Sequence, residues 1–183
     1  GAPLLLYFGR LEYEKGVQDL IAALPRIRRS HPGTRLAIAG TGTATDMLRE
    51  TARRHRVLRS VAFLGHLPDG ELPAAVAAAD AVVLPSRYEP FGIVALEAAA
   101  AGAPLVTSTA GGLGELVEDG RTGLSFEPGD VTGIVRAVRT VLDDPAAAAE
   151  RAGAARERLA TDFDWARIAA AAAQVYAAAP IGG

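Results

Sequence analysis

The chain has 183 residues, half of them apolar and 22% charged, with a formal net charge of −2. That size suits one globular domain with a sizeable core, and the near-neutral charge argues against a nucleic-acid binder, which would carry a basic excess. There are no cysteines, so disulfide scaffolds, cysteine nucleophiles and thiolate metal sites are excluded, and a cytoplasmic setting fits.

Leu4 to Phe8 is an apolar run of strand length, closed by Gly9. It follows Gly1-Ala2-Pro3 with no signal-peptide pattern and no initiator Met, so a start inside a longer protein is expected. Apolar residues at Leu20, Ile21, Leu24 and Ile27 predict a helix from Val17 to Arg29, ended by Pro32-Gly33. Arg35 to Ala39 reads as a second strand, followed by Gly40-Thr41-Gly42, and Thr45 to Val57 as a helix with arginines outside. Ser60 to Leu64 is a third strand, Glu71 to Ala79 an Ala-rich helix, and Asp80 to Leu84 a fourth strand stopped by Pro85. Phe91 to Ala101 is a helix with Gly102 as its natural stop. Leu105 to Thr107 and Gly123 to Phe126 are the fifth and sixth strands, with a short helical turn at Glu115 to Val117 between them. Helices over Val131 to Leu142, Ala146 to Ala160 and Phe163 to Ala178 complete the chain. No apolar run reaches the roughly 18 residues a spanning helix needs.

Near-continuous apolar strands alternating with helices predict an α/β fold, a single Rossmann-like, doubly wound parallel sheet of about six strands. Ligands of such sheets lie beyond the carboxyl ends of the strands, where the strand order reverses. Attention therefore falls on the loops after Phe8, Ala39, Leu64, Leu84 and Thr107.

The first loop, Gly9 to Gly16, brings Arg10 and Lys15 to a strand end just before a helix, an arrangement suited to a diphosphate. The alternative is a solvated loop in which both cations pair with Glu12 and Glu14. Gly40-Thr41-Gly42 lacks the third glycine of the dinucleotide fingerprint, since Thr45 stands there, and on its own it reads as a tight turn. In the fourth loop Pro90 favours the first turn of a helix, so the N–H groups of Phe91, Gly92, Ile93 and Val94 are expected to be open to a ligand. Glu89 and Glu97 would then be about 12 Å apart along a helix, too far for a hydrolytic carboxylate pair. They read as anchors for two parts of a long ligand, or else as a helix cap and a solvent-facing residue. The Ala-rich surroundings of Glu97 suggest a buried partner. His31, His55 and His66 are not at metal-ligand spacing, and only His66 lies in a strand-end loop.

Glu89-Pro90-Phe91-Gly92-Ile93-Val94-Ala95-Leu96-Glu97 resembles the E-x7-E motif of retaining GT-B glycosyltransferases. Gly9-Arg10-Leu11 with Lys15-Gly16 resembles that family's phosphate loop, and Phe63-Leu64-Gly65-His66-Leu67 its base-binding loop. Ala110 to Glu115 and Gly120 to Leu124 resemble its two following glycine-rich segments. The similarity runs from Leu4 to about Tyr176, and the Ala-rich wording around Glu97 to Pro104 is similar to actinobacterial α-1,4-glucan glucosyltransferases.

The resemblance implies a nucleotide-sugar (donor) binding domain over residues 1–183, the C-terminal half of a GT-B fold, with 163–178 as a crossover helix. It implies that Arg10 and Lys15 hold the donor diphosphate and stabilise the leaving group, and that Glu89 binds hydroxyls of the donor sugar. Glu97 would take the ribose, and the backbone at His66 and Leu67 the base. The backbone of Phe91, Gly92, Ile93 and Val94 would meet sugar and phosphates, with the glycines Gly9, Gly40 and Gly42 on the donor side. A hexose, glucose first, would pass from a UDP-, ADP- or GDP-linked donor to a glycan acceptor, with no cofactor and no metal. An N-terminal half carrying the acceptor contacts is the implied partner, any peripheral membrane association would come through that half, and this chain alone would be inactive. A nucleotide-sugar-binding module without catalysis and a UDP-sugar epimerase-type domain are the competing readings.

Overall fold

The computed structural model describes residues 1–68 and 70–162; the crossover helix expected over 163–178 lies outside the described residues. Six parallel strands form one sheet: β1 Leu4–Phe8, β2 Arg35–Ala39, β3 Val61–Gly65, β4 Ala81–Leu84, β5 Leu105–Ser108 and β6 Leu124–Phe126. Their order across the sheet is β3-β2-β1-β4-β5-β6. The chain thus winds outward from β1 to β3, returns to the middle, and winds outward again from β4 to β6. The order reverses between β1 and β4, which pair through Leu5↔Ala81 and Leu6↔Val82. Right-handed crossovers place the helices after β1 and β2 on one face and those after β4 and β5 on the other, and the first helix after β6 returns to pack on the first of these faces.

Among the described residues, five α-helices connect the strands, α1 Val17–Ser30, α2 Thr45–Arg54, α3 Leu72–Ala77, α4 Ile93–Ala100 and α5 Gly112–Leu116, and two follow the last strand, α6 Val131–Asp143 and α7 Pro145–Asp162. Helix α1 packs with α2 and α6, and α4 packs with α5 and α7. The central strands are apolar on both faces because both are covered; Leu5, Val82, Val83 and Val106 are wholly buried. Edge strand β3 alternates instead, with Leu64 45% exposed, and Arg49 lies 4.6 Å over the ring of its Phe63. No helix among the described residues is long and apolar enough to cross a membrane.

The fourth helix differs at its start from the pattern-based expectation. It begins at Ile93 rather than Phe91, because Gly92 takes a left-handed conformation (φ 74°, ψ 25°) and breaks the turn that Pro90 would have opened. The 12 Å axial spacing inferred for Glu89 and Glu97 therefore does not apply. Its end is as expected: Gly102 (φ 76°) donates to Ala99 and Ala103 donates to Ala98, the paired bonds of a glycine-stopped helix.

Candidate functional site

The loops after β1 and β4 leave the sheet side by side at the reversal and interlock. Residues Tyr13–Lys15 form one turn of 3-10 helix, and Gly16 ends it in the left-handed region (φ 68°, ψ 12°). A side chain at Gly16 would bring its Cβ to 1.9 Å from the carbonyl oxygen of Pro85. The N–H groups of Arg87 and Tyr88 both donate to the carbonyl of Glu14, at 2.7 and 3.2 Å. Lys15 is thereby turned inward, and its Nζ donates to Glu89 Oε2 at 2.8 Å, with 15% and 11% of the two side chains exposed.

The other oxygen of Glu89 accepts the N–H of Gly92 at 3.2 Å, and the N–H of Phe91 is also directed at this carboxylate. Burial pushes the Glu89 carboxyl upward, but the Lys15 hydrogen bond, the two N–H groups and the Lys15 charge outweigh it and hold it below the ordinary carboxylate range. Behind the loop, Gly111 and Gly112 allow close approach. A Cβ at either would lie 2.3 Å from the Glu89 carbonyl oxygen or 2.5 Å from the Phe91 carbonyl carbon, and the N–H of Gly112 donates to the former at 2.9 Å.

Beside this pair opens a cavity of about 270 Å³ lined by Gly9, Arg10, Gly40, Thr41, His66, Leu67, Leu72, Val94 and Glu97, among others. Its floor is main chain. Gly9 donates to Ala39 at 3.0 Å and Gly40 donates to Gly65 at 2.6 Å, while a Cβ at Gly40 would fall 1.8 Å from the carbonyl oxygen of Gly9. Gly42 backs onto Leu11 in the same way, at 2.2 Å, and does not line the cavity. Tyr7 fixes the mouth from beneath: its hydroxyl donates to the Arg10 carbonyl at 2.7 Å, and burial, reinforced by Glu89, keeps that phenol protonated. A groove lined by Leu72, Pro73, Val76, Glu97 and Ala100 adjoins the cavity. A cleft of about 600 Å³ at the opposite end of the sheet, beside Pro3, Asp80 and Arg156, is remote from both reversal loops.

The residues singled out in the sequence divide between two neighbouring places. Lys15, Glu89, Phe91 and Gly92 belong to the ion-pair cluster; Gly9, Arg10, Gly40, His66, Leu67, Val94 and Glu97 line the cavity. Glu97 is exposed on the cavity wall rather than buried in the core. Phe91 and Ile93 turn outward, 75% and 60% exposed, so what they present inward is backbone. Ile93 and Val94 open the first turn of α4, so their N–H groups have no intrahelical acceptors. The local pairing of cations with Glu12 and Glu14 is found in part. Arg10 forms an exposed ion pair with Glu14 at 3.7 Å, with 73% of its side chain in solvent, whereas Lys15 pairs with Glu89 and Glu12 binds the hydroxyl and N–H of Thr43, which lowers its carboxyl.

Two contributors escaped the pattern-based reading. Leu72 lines the cavity from the start of α3, and Arg87 grips Asp19 with two hydrogen bonds of 2.8 Å. One compositional signal was available: of the 19 basic residues, Lys15 is the single lysine, against 18 arginines.

Comparison with known proteins agrees with this geometry. The family model described as "Glycosyl transferases group 1" matches residues 1–158. A glycogen synthase of Mycobacterium tuberculosis is 65% identical over 182 residues, covering all of this chain and 44% of that protein. Among solved structures, sucrose-phosphate synthase from Thermosynechococcus elongatus superposes with a TM-score of 0.84 at 34% identity, over 95% of this chain and 44% of that one. Anabaena HepE in complex with UDP gives 0.86 at 30% identity, over 96% and 49%. The chain thus spans somewhat under half the length of these relatives.

Proposed function

The chain belongs to the glycosyl transferases group 1 family, and from that premise we propose that it is the donor-binding half of a retaining GT-B enzyme. That enzyme moves a hexose, glucose first, from a nucleotide diphosphate sugar to a glycan in the cytoplasm. The single observation that carries this reading is the meeting of Lys15 and Glu89 at the sheet reversal, next to a cavity that also holds Arg10 and Glu97. A diphosphate at this point lies within reach of the Lys15 ammonium, the Arg10 guanidinium and the first N–H groups of α4. These are fixed positive groups that stabilise the negative charge gathered on a departing diphosphate. Glu97 on the cavity wall is suited to ribose hydroxyls, the backbone at His66 and Leu67 to the base, and Glu89 to hydroxyls of the transferred sugar. The balance of charge comes from side chains and main chain, so no metal or cofactor is required. The acceptor contacts belong to an N-terminal half.

Calorimetric titration of the 183-residue chain with UDP, ADP and GDP tests the reading. One of the three is expected to bind with a dissociation constant of about 1 µM to 1 mM, while the isolated chain shows no glycosyl transfer. Absence of binding by all three would overturn the donor-site assignment. Turnover by the chain alone would overturn its status as half of an enzyme.

A further inference from the structure

We infer that Arg87 is a positioning residue for Lys15, holding the ammonium against Glu89 at the point where the donor diphosphate binds. The inference rests on the donor-binding reading and adds a residue that touches neither the ion pair nor the cavity. Arg87 Nε and Nη2 donate to the two oxygens of Asp19, each at 2.8 Å. Asp19 lies in the first turn of α1 and is 6% exposed, which makes it a fixed anchor. The guanidinium also lies 5.2 Å over the ring of Tyr13, with Nη1 3.2 Å from the Tyr13 hydroxyl. Its own backbone N–H reaches Glu14 at 2.7 Å. Arg87 therefore ties down Tyr13 and Glu14 immediately before Lys15, and Asp19 four residues after it. Glu89, the residue Lys15 reaches, stands two positions beyond Arg87 on the same loop.

A lysine side chain has four rotatable bonds and loses much rotamer freedom when its ammonium is held in one place. Fixing the backbone on both sides of Lys15 keeps that ammonium at one point without a direct contact to it. The two parallel bonds to Asp19 need a planar fork, which arginine has and lysine lacks.

The test uses the full 183-residue chain as wild type, Arg87→Met, Asp19→Asn, Lys15→Ala and the Arg87→Met/Lys15→Ala double variant. The first readout needs no ligand: the rate at which an amine-directed acylating reagent modifies Lys15, the chain's single lysine, followed by peptide mass spectrometry. The second is the ratio of uridine to UDP dissociation constants. In Arg87→Met and Asp19→Asn, Lys15 is expected to react several-fold faster. The uridine-to-UDP ratio is expected to fall about tenfold, the lower end of what one charge-assisted hydrogen bond carries, with uridine binding unchanged. Added to Lys15→Ala, Arg87→Met should lower the ratio no further. Unchanged Lys15 reactivity in a folded Arg87→Met chain would overturn the inference. So would an undiminished effect in the Lys15→Ala background, which would mark Arg87 as a general structural brace. If none of UDP, ADP and GDP binds the wild type, the donor reading fails while the acylation rate still decides the placement of Lys15; if ADP or GDP binds in place of UDP, that nucleotide and its nucleoside take the place of UDP and uridine. Should Arg87→Met not fold, Arg87→Lys takes its place, and retention of wild-type Lys15 reactivity there would exclude the fork as the positioning element.

Discussion

Lys15 and Glu89 are 74 positions apart in the sequence and 2.8 Å apart in the fold. The same carboxylate accepts the N–H of Gly92. Glu89 thus already satisfies the ammonium and one of the loop N–H groups that the proposed function brings to a diphosphate. On the donor-binding reading, phosphate competes with the Glu89 carboxylate for the ammonium held at that point, and the carboxylate is released to the sugar hydroxyls.

This exchange predicts opposite effects on binding and on turnover. Glu89→Gln keeps the shape of the side chain and removes the competing charge. UDP is expected to bind the variant a few-fold more tightly, on the scale of the ~1 kcal/mol that a partly exposed ion pair is worth. In the full-length enzyme the same change should depress kcat strongly. Calorimetry and steady-state kinetics check both halves, and weaker UDP binding would show that Glu89 does not compete with phosphate.

The lowered Glu89 carboxyl fixes the sign of a pH effect. A carboxyl depressed in the folded state contributes stability that is complete above the ordinary carboxylate range. That contribution is lost as pH falls through the depressed value. Melting temperature should therefore drop more steeply between pH 5 and pH 3 for the wild type than for Glu89→Gln, so that the two curves converge in acid. Parallel curves would mean that the pair adds nothing to folding.

Lys15→Ala and Arg10→Ala are expected to weaken UDP binding more than uridine binding, by about 1.5–3 kcal/mol for a charge-assisted bond that is fully formed. Lys15→Ala should also lower stability, since it leaves Glu89, 8% exposed, without its counter-charge. Arg10, with 73% of its side chain in solvent, should lose affinity alone. Titration and thermal melts of the two variants separate these outcomes.

Two glycines with the same backbone sign should respond very differently to a methyl group. Gly65 (φ 70°) has open space where a Cβ would go, so Gly65→Ala should cost about 1–2 kcal/mol, the left-handed penalty alone. Gly16 (φ 68°) would place that carbon 1.9 Å from the Pro85 carbonyl. Gly16→Ala must push the two loops apart and should abolish UDP binding even where the chain still folds. Chemical denaturation and titration provide the comparison.

Much of the fold was legible because burial on both faces leaves a local trace. The runs Leu4 to Phe8 and Ala81 to Leu84 are apolar without interruption, and the strand ends at Gly9 and Pro85 follow from residue type. The cavity-lining role of Arg10 and His66 follows from their place at strand ends. What was not legible depends on contacts across the chain. Neighbouring Glu12 and Glu14 are the nearest acids to Lys15 in sequence, yet the left-handed turn at Gly16 aims Lys15 away from them and toward a loop that only the strand order brings near. The start of α4 departs from its local sequence signal for a related reason. Pro90 signals a helix by itself, but the Glu89 carboxylate binds the Gly92 N–H and delays the first turn to Ile93. The Arg87–Asp19 grip leaves no local trace at all, since each residue alone is an ordinary charged side chain.

The floor of the cavity is drawn in main chain, with Gly9, Ala39, Gly40 and Gly65 joined by hydrogen bonds and no room for a side chain at Gly40. The walls are contributed by His66, Leu67, Leu72 and Glu97. Such a division separates what can drift from what cannot. On the donor-binding reading, a substitution on the wall is expected to change the contacts to base or ribose and leave the platform intact, whereas a substitution on the floor destroys the platform before it alters any preference. If the donor does bind here, such a chain is retuned to a new nucleotide by single steps, each passing through a folded protein, and the place to redesign its choice of donor is the rim contributed by β3, α3 and α4.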